Sequence, residues 1–149
     1  GRKGIGEVVK QGLGAARESV EEDQTMTTAT LPSLAPNELS ALAEFVRRLR
    51  EQFAERIAHV WLFGSKARGD SGPESDIDLL VVTRADGWEF EKQVNRLALD
   101  VDLSYDVVLS DHMIDIDRFR QMAARQEPLY KNIQREGIDL WTTELQPTT

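Results

Sequence analysis

Residues 60–82 read VWLFGSKARGDSGPESDIDLLVV, and the fold turns on this stretch. The apolar run Val60-Trp61-Leu62-Phe63 is stopped by Gly64, the pattern of a short buried strand, and Asp76 to Val82 forms a second one. Between them, Gly64-Ser65 ends the first strand and opens a short helix through Lys66, Ala67 and Arg68. Gly72-Pro73 then supplies the turn into the second strand. Backbone N–H groups at such a helix start, together with the Ser65 hydroxyl, make an anion cradle. Lys66 and Arg68 place two cations beside it, and a glycine at 64 lets the backbone approach a phosphate where a Cβ would intrude.

Ten residues separate Ser65 from Asp76. Asp76 and Asp78 are two apart in a strand, so they share one face at a spacing of about 6.5–7 Å. Ile77, Leu79 and Val81 point to the other face, into apolar packing. Two carboxylates so placed can bridge a pair of divalent cations about 3.5–4 Å apart. Oxygen ligands without histidine favour Mg²⁺ or Mn²⁺. A phosphate cradle facing a carboxylate pair is equipment for phosphoryl or nucleotidyl transfer. A second Asp-Ile-Asp, at 115–117, has no glycine-serine loop before it and leads into a helical stretch, so it reads as helix-start acids.

Outward from this centre, Leu39, Leu42, Val46, Leu49, Phe53 and Ile57 form one apolar stripe on a long helix that begins at Pro36. Trp88 to about Leu103 carries a second helical face through Phe90, Val94, Leu97, Ala98 and Val101. A third strand is expected over Tyr105–Leu109. Phe119, Met122 and Ala123, then Leu129 to Ile133, give one or two short helices, with Gly137 as the stop before Ile138-Asp139-Leu140-Trp141. The order α-β-α-β-α-β-α makes an α/β (α+β) domain, a small mixed sheet backed by helices. His59 and His112 read as satisfied histidines at strand edges, and Trp61, Phe63 and Tyr130 as core or interface aromatics.

The chain has 149 residues, 40% of them hydrophobic and 30% charged, enough for one domain with a core. Eighteen basic against 26 acidic residues leave a charge of −8, which argues against a protein that grips nucleic acid through phosphates. There are no cysteines, so disulfides and thiolate metal sites are excluded, and the cytoplasm is the expected compartment. No apolar run approaches the roughly 18 residues of a membrane span. Residues 1–25 hold five of the ten glycines; Ile5, Val8, Val9, Leu13 and Ala16 are spaced as a weak amphipathic helix. Residues 21–37 have linker composition, and Met26 within them is a candidate start. The expected organisation is an extension over 1–35, a domain over 36–141 and a tail over 142–149.

The glycine-serine loop followed by Asp-apolar-Asp resembles the signature of the DNA polymerase β-type nucleotidyltransferase superfamily. Gly64-Ser65-Lys66-Ala67-Arg68-Gly69 with Ser75-Asp76-Ile77-Asp78-Leu79 is similar, more narrowly, to the small stand-alone minimal nucleotidyltransferases of prokaryotes. The resemblance spans roughly 36–141 and includes the Arg135-Glu136-Gly137-Ile138 ending. It implies the nucleotidyltransferase fold, ATP or another NTP and Mg²⁺ as cosubstrates, and a third carboxylate on a following strand. Asp106 matches that third position, with Asp111 as the alternative, while Asp100 and Asp102 fall on the preceding helix. The implied site is Asp76, Asp78 and Asp106 for metals and catalysis, with Gly64, Ser65, Lys66 and Arg68 for the nucleotide. The resemblance also implies AMP transfer to a helical HEPN-type partner, the chain being the antitoxin of a toxin–antitoxin pair. A small-molecule, antibiotic-type transferase and a non-catalytic binding module that keeps the fold are the alternatives, and the oligomeric state is left open.

Overall fold

The computed structural model describes residues 27–29, 34–70, 72, 75–84 and 87–145. The weak helix, the glycine-rich stretch and the candidate start at Met26 read over residues 1–26 lie outside the described residues. In chain order the elements are β1 (Thr27–Ala29), α1 (Pro36–Phe53), β2 (Ile57–Phe63), α2 (Ser65–Arg68) and β3 (Ile77–Thr83). There follow α3 (Trp88–Tyr105), β4 (Leu109–Asp115), α4 (Ile116–Arg125), α5 (Pro128–Glu136), β5 (Ile138–Asp139) and β6 (Thr143–Leu145).

Pro36 stands in the first turn of α1, and the Glu38 carboxylate accepts the Ala35 N–H at 2.9 Å, satisfying one donor of the helix start. Leu39, Leu42, Val46 and Leu49 form its buried stripe. The helix ends at Phe53, one short 3₁₀ turn before Ile57. Ile57 had the spacing to extend the helical stripe; instead it opens β2, a strand apolar at every position but His59, where a β-branched residue is favoured.

The main sheet has the order β4-β3-β2-β5. β2 pairs antiparallel with β3 and with β5, while β3 and β4 run parallel, joined through α3. The sheet is therefore mixed, as expected. Ile77, Leu79 and Val81 are fully buried on one face. On the other, Ala58, Leu80, Val82 and Ile133 form a cluster with Trp61, Phe63, Ile114, Ile116, Phe119 and Leu129 packed against it, so α4 and α5 cover that side. Asp115 caps α4 by accepting the Arg118 N–H at 2.7 Å, so the second Asp-Ile-Asp is a helix start.

One expectation is corrected. The third strand does not lie over 105–109: α3 runs on to Tyr105 and the strand is Leu109–Asp115. That strand is an edge of the sheet and largely half-buried, so its sequence LSDHMID lacks the apolar density of a central strand. β1 and β6 pair with each other as a separate two-stranded sheet. Such pairing is made by backbone groups and needs no apolar side chains. Among the described residues, no helix is long and apolar enough to cross a membrane.

Candidate active site

The end of β2 and the start of β3 are adjacent because the two strands are antiparallel, with Phe63 registered opposite Asp78. The Gly64-Ser65 loop therefore meets the Asp-Ile-Asp strand directly. Gly64 has φ +78°, a conformation L side chains rarely adopt. A Cβ built on it would stand 2.3 Å from Asp78 Oδ2. Glycine here is favoured by the backbone angle, and any Cβ would also displace the Asp78 carboxylate.

Asp78 is half-buried on the face of Leu80 and Val82, and Asp76 is exposed just before the strand. Burial pushes the Asp78 carboxyl above its ordinary range; the Asp76 charge adds to this, while His112 and Arg68 oppose it. A desolvated carboxylate beside a second acid is a place where a cation relieves both costs. The parallel register sets Ser110 beside Asp78 and His112 beside Leu80. Ser110 Oγ and His112 Nε2 are 3.4 Å apart, and the His112 ring centroid lies 6.2 Å from that of Phe63. Sequence reading assigned neither residue to the site, since their arrival depends on where the edge strand begins.

Lys66 is not presented to the loop. Its side chain is 2% exposed and its ammonium is paired with Glu38 at 2.9 Å, with a longer contact of 3.4 Å to the Gly72 carbonyl. The reason is helical geometry: in a single turn, Lys66 falls on the side facing α1 rather than solvent. Arg68 is half-exposed and bonds Asp70 at 3.1 Å and Glu136 Oε2 at 3.0 Å. Glu136 Oε2 also accepts the Gly64 N–H at 3.2 Å. Glu136 was part of the resemblance but had no role read into it.

Asp106 does not open a strand. It is the C-cap of α3, in the left-handed conformation at φ +56°, with an exposed side chain. Its carbonyl and that of Tyr105 face the Asn37 side-chain amide, at 3.5 and 2.9 Å. Asp111 registers with Leu79 and so faces away from Asp78. Asp102 Oδ1 accepts the Leu109 N–H at 2.9 Å, and the charge of Asp76 reaches it. Among the described residues, no three acids or histidines are gathered closely enough to hold a metal by themselves. Mg²⁺ does not need three: it is commonly held by one or two carboxylates together with water and substrate phosphates. Asp76 and Asp78 beside a glycine cradle fit that requirement.

Residues 42–138 match the family model described as "Nucleotidyltransferase domain". A Methanocaldococcus jannaschii protein with the provisional name protein adenylyltransferase is 42% identical over 105 residues, covering 70% of this chain and 99% of its own. A second provisionally named protein adenylyltransferase of that organism is 33% identical over 73 residues, 48% of this chain and 74% of its own. A solved structure provisionally described as a minimal nucleotidyltransferase is 28% identical, with a TM-score of 0.47 over 72% of this chain and 97% of that one.

Proposed function

The chain belongs to the nucleotidyltransferase domain family, and on that premise we propose that it transfers AMP from ATP to a hydroxyl group of a protein. The observation that carries this reading is the packing of Gly64 on Asp78, which brings the glycine-serine loop directly against a half-buried carboxylate. The choice of AMP and of a protein acceptor is supported by the provisional name of the relative at 42% identity. A formal net charge of −8 agrees with a protein rather than a polynucleotide acceptor.

In this reading Asp76 and Asp78 hold Mg²⁺. The metal supplies charge neutralisation at the phosphates and polarises the oxygens around the reacting phosphorus. The Ser65 N–H and hydroxyl receive phosphate oxygens, while the Gly64 N–H is held by Glu136 and its missing Cβ leaves Asp78 close to the loop. Arg68 stands at the rim as the available cation, whereas Lys66 builds the loop from beneath. The acceptor hydroxyl gives up its proton to solvent, its oxygen bonds to the α-phosphorus, the bond from that phosphorus to the β-phosphate oxygen breaks, and pyrophosphate leaves. The acceptor is a helical HEPN-type toxin encoded beside this chain in the cytoplasm, with this chain as the antitoxin.

The test is incubation with α-labelled ATP and Mg²⁺, with and without the co-encoded protein. Label on the partner is the expected result. Label on neither protein, with ATP binding intact, removes the protein-acceptor assignment.

A further inference from the structure

Residues 64 and 68, at the two ends of the loop and turn, are both tied to one oxygen of a residue far along the chain. Glu136 Oε2 accepts the Gly64 N–H at 3.2 Å and the Arg68 Nη1 hydrogen at 3.0 Å. The Glu136 side chain is 10% exposed, against 46% for Arg68, so the carboxylate is the fixed member and the guanidinium the adaptable one. Arg135 approaches the other oxygen at 3.7 Å.

Glu136 is held by the sheet that carries the site. It ends α5, whose Ile133 is buried in the core and accepts the Gly137 N–H at 2.7 Å. A Cβ at Gly137 would fall 2.5 Å from that same carbonyl, so the chain can turn here only at a glycine. The next residues, Ile138 and Asp139, pair with Leu62 and Trp61 of β2. The strand that leads into Gly64 therefore also fixes, through β5, the residue that holds the Gly64 N–H. Gly64 in turn forms the wall against Asp78 Oδ2.

We propose that Glu136 is a positioning residue for nucleotide transfer, holding the Gly64–Arg68 turn at its distance from Asp78 and aiming Arg68 at the loop. This rests on the reading of Gly64, Ser65, Asp76 and Asp78 as a nucleotide site. The opposite role would be a competitor, a carboxylate occupying donors that a phosphate must win. The two roles differ in sign. A positioning residue loses nucleotide affinity on truncation, and glutamine, which keeps an acceptor oxygen for the Gly64 N–H, restores much of it. A competitor gains affinity on either change.

The experiment titrates a fluorescent ATP analogue with Mg²⁺ into the full chain as wild type, Glu136→Ala, Glu136→Gln, Arg68→Ala and the Glu136→Ala/Arg68→Ala double variant, recording Tm for each. Expected is an increase in Kd of about tenfold for Glu136→Ala, the scale seen when a residue orienting a ligand-binding group is removed. Glu136→Gln should stay within about threefold, and the double variant should bind more tightly than the product of the two single losses allows. Equal or tighter binding by Glu136→Ala overturns the proposal. If Glu136→Ala does not fold, tighter binding by Glu136→Gln does so instead. Absence of Mg²⁺-dependent binding by the folded wild type overturns the nucleotide site itself, and is distinguished by being seen before any substitution is made.

Discussion

Lys66 Nζ lies 2.9 Å from Glu38 Oε2, and with its side chain 2% exposed it is the most deeply buried cation among the described residues. The pair joins the turn after the glycine-serine loop to the first turn of α1, where the same Glu38 carboxylate accepts the Ala35 N–H. Breaking a buried ion pair from one side leaves the partner charge without compensation, at a cost of about 3–5 kcal/mol. Lys66→Ala should therefore lower the unfolding free energy by that order in urea denaturation. Lys66→Met with Glu38→Gln removes both charges, keeps an acceptor for Ala35, and should recover most of the loss. A Lys66→Ala protein of wild-type stability that binds ATP weakly would restore Lys66 as a phosphate ligand.

Gly64→Ala tests the closest contact of the candidate site. The new methyl would meet Asp78 Oδ2 at 2.3 Å on a backbone at φ +78°. Strain in this region of φ costs about 1–3 kcal/mol, and the carboxylate must also move. Mn²⁺ affinity, read by electron paramagnetic resonance, should fall by at least about tenfold, a loss of roughly 1.4 kcal/mol or more. Unchanged Mn²⁺ binding in a folded Gly64→Ala protein would separate the loop from the metal site.

What could be read along the chain was local. The strands on either side of the loop, the helix from Pro36 and the capping role of Asp115 follow from spacing, β-branching and cap chemistry, all encoded within a few residues. Three features were not legible because they are set by pairing across the fold. The edge strand LSDHMID has too few apolar residues to announce itself, whereas Tyr105-Asp106-Val107-Val108-Leu109 has the composition of a strand but includes the end of a helix. The pairing of Lys66 with Glu38 is likewise not written near Lys66, because it depends on α1 packing against the turn. Glu136 reaches Gly64 only once α5 and β5 are laid along β2.

Replacing either site acid with its amide should separate function from stability. Asp78 is half-buried and its ionised form is disfavoured by burial and by Asp76. Asp76→Asn or Asp78→Asn should abolish nucleotide transfer, and EDTA should do the same to wild type. In metal-free buffer at neutral pH the Tm of Asp78→Asn should equal or slightly exceed that of wild type, because a like-charge repulsion is relieved. Transfer near wild-type rates in either variant would remove the metal assignment, and a sharply lower Tm would recast the acid as structural.

Asp111 offers a pH-dependent test away from the metal-ligand pair. It is half-buried on the face of β4 opposite Asp78, and its Oδ2 is buried with no hydrogen-bond partner. Burial raises its pKa, Asp102 and Glu91 raise it further, and its own backbone N–H and His112 oppose the rise. The folded chain therefore holds this proton more tightly than the unfolded chain does. Stability linked to Asp111 is full below the ordinary Asp range, near pH 3.9, and is lost as pH rises through the elevated folded value. Asp111→Asn removes the charge, and its amide hydrogens can face Asp102 and Glu91 favourably. The variant should be more stable than wild type at pH 7, by about 1 kcal/mol or roughly 2–4 °C in Tm. That advantage should shrink as the pH is lowered toward 4, where wild-type Asp111 is itself protonated. An advantage of equal size at both pH values would mean that packing, not the buried charge, separates the two proteins.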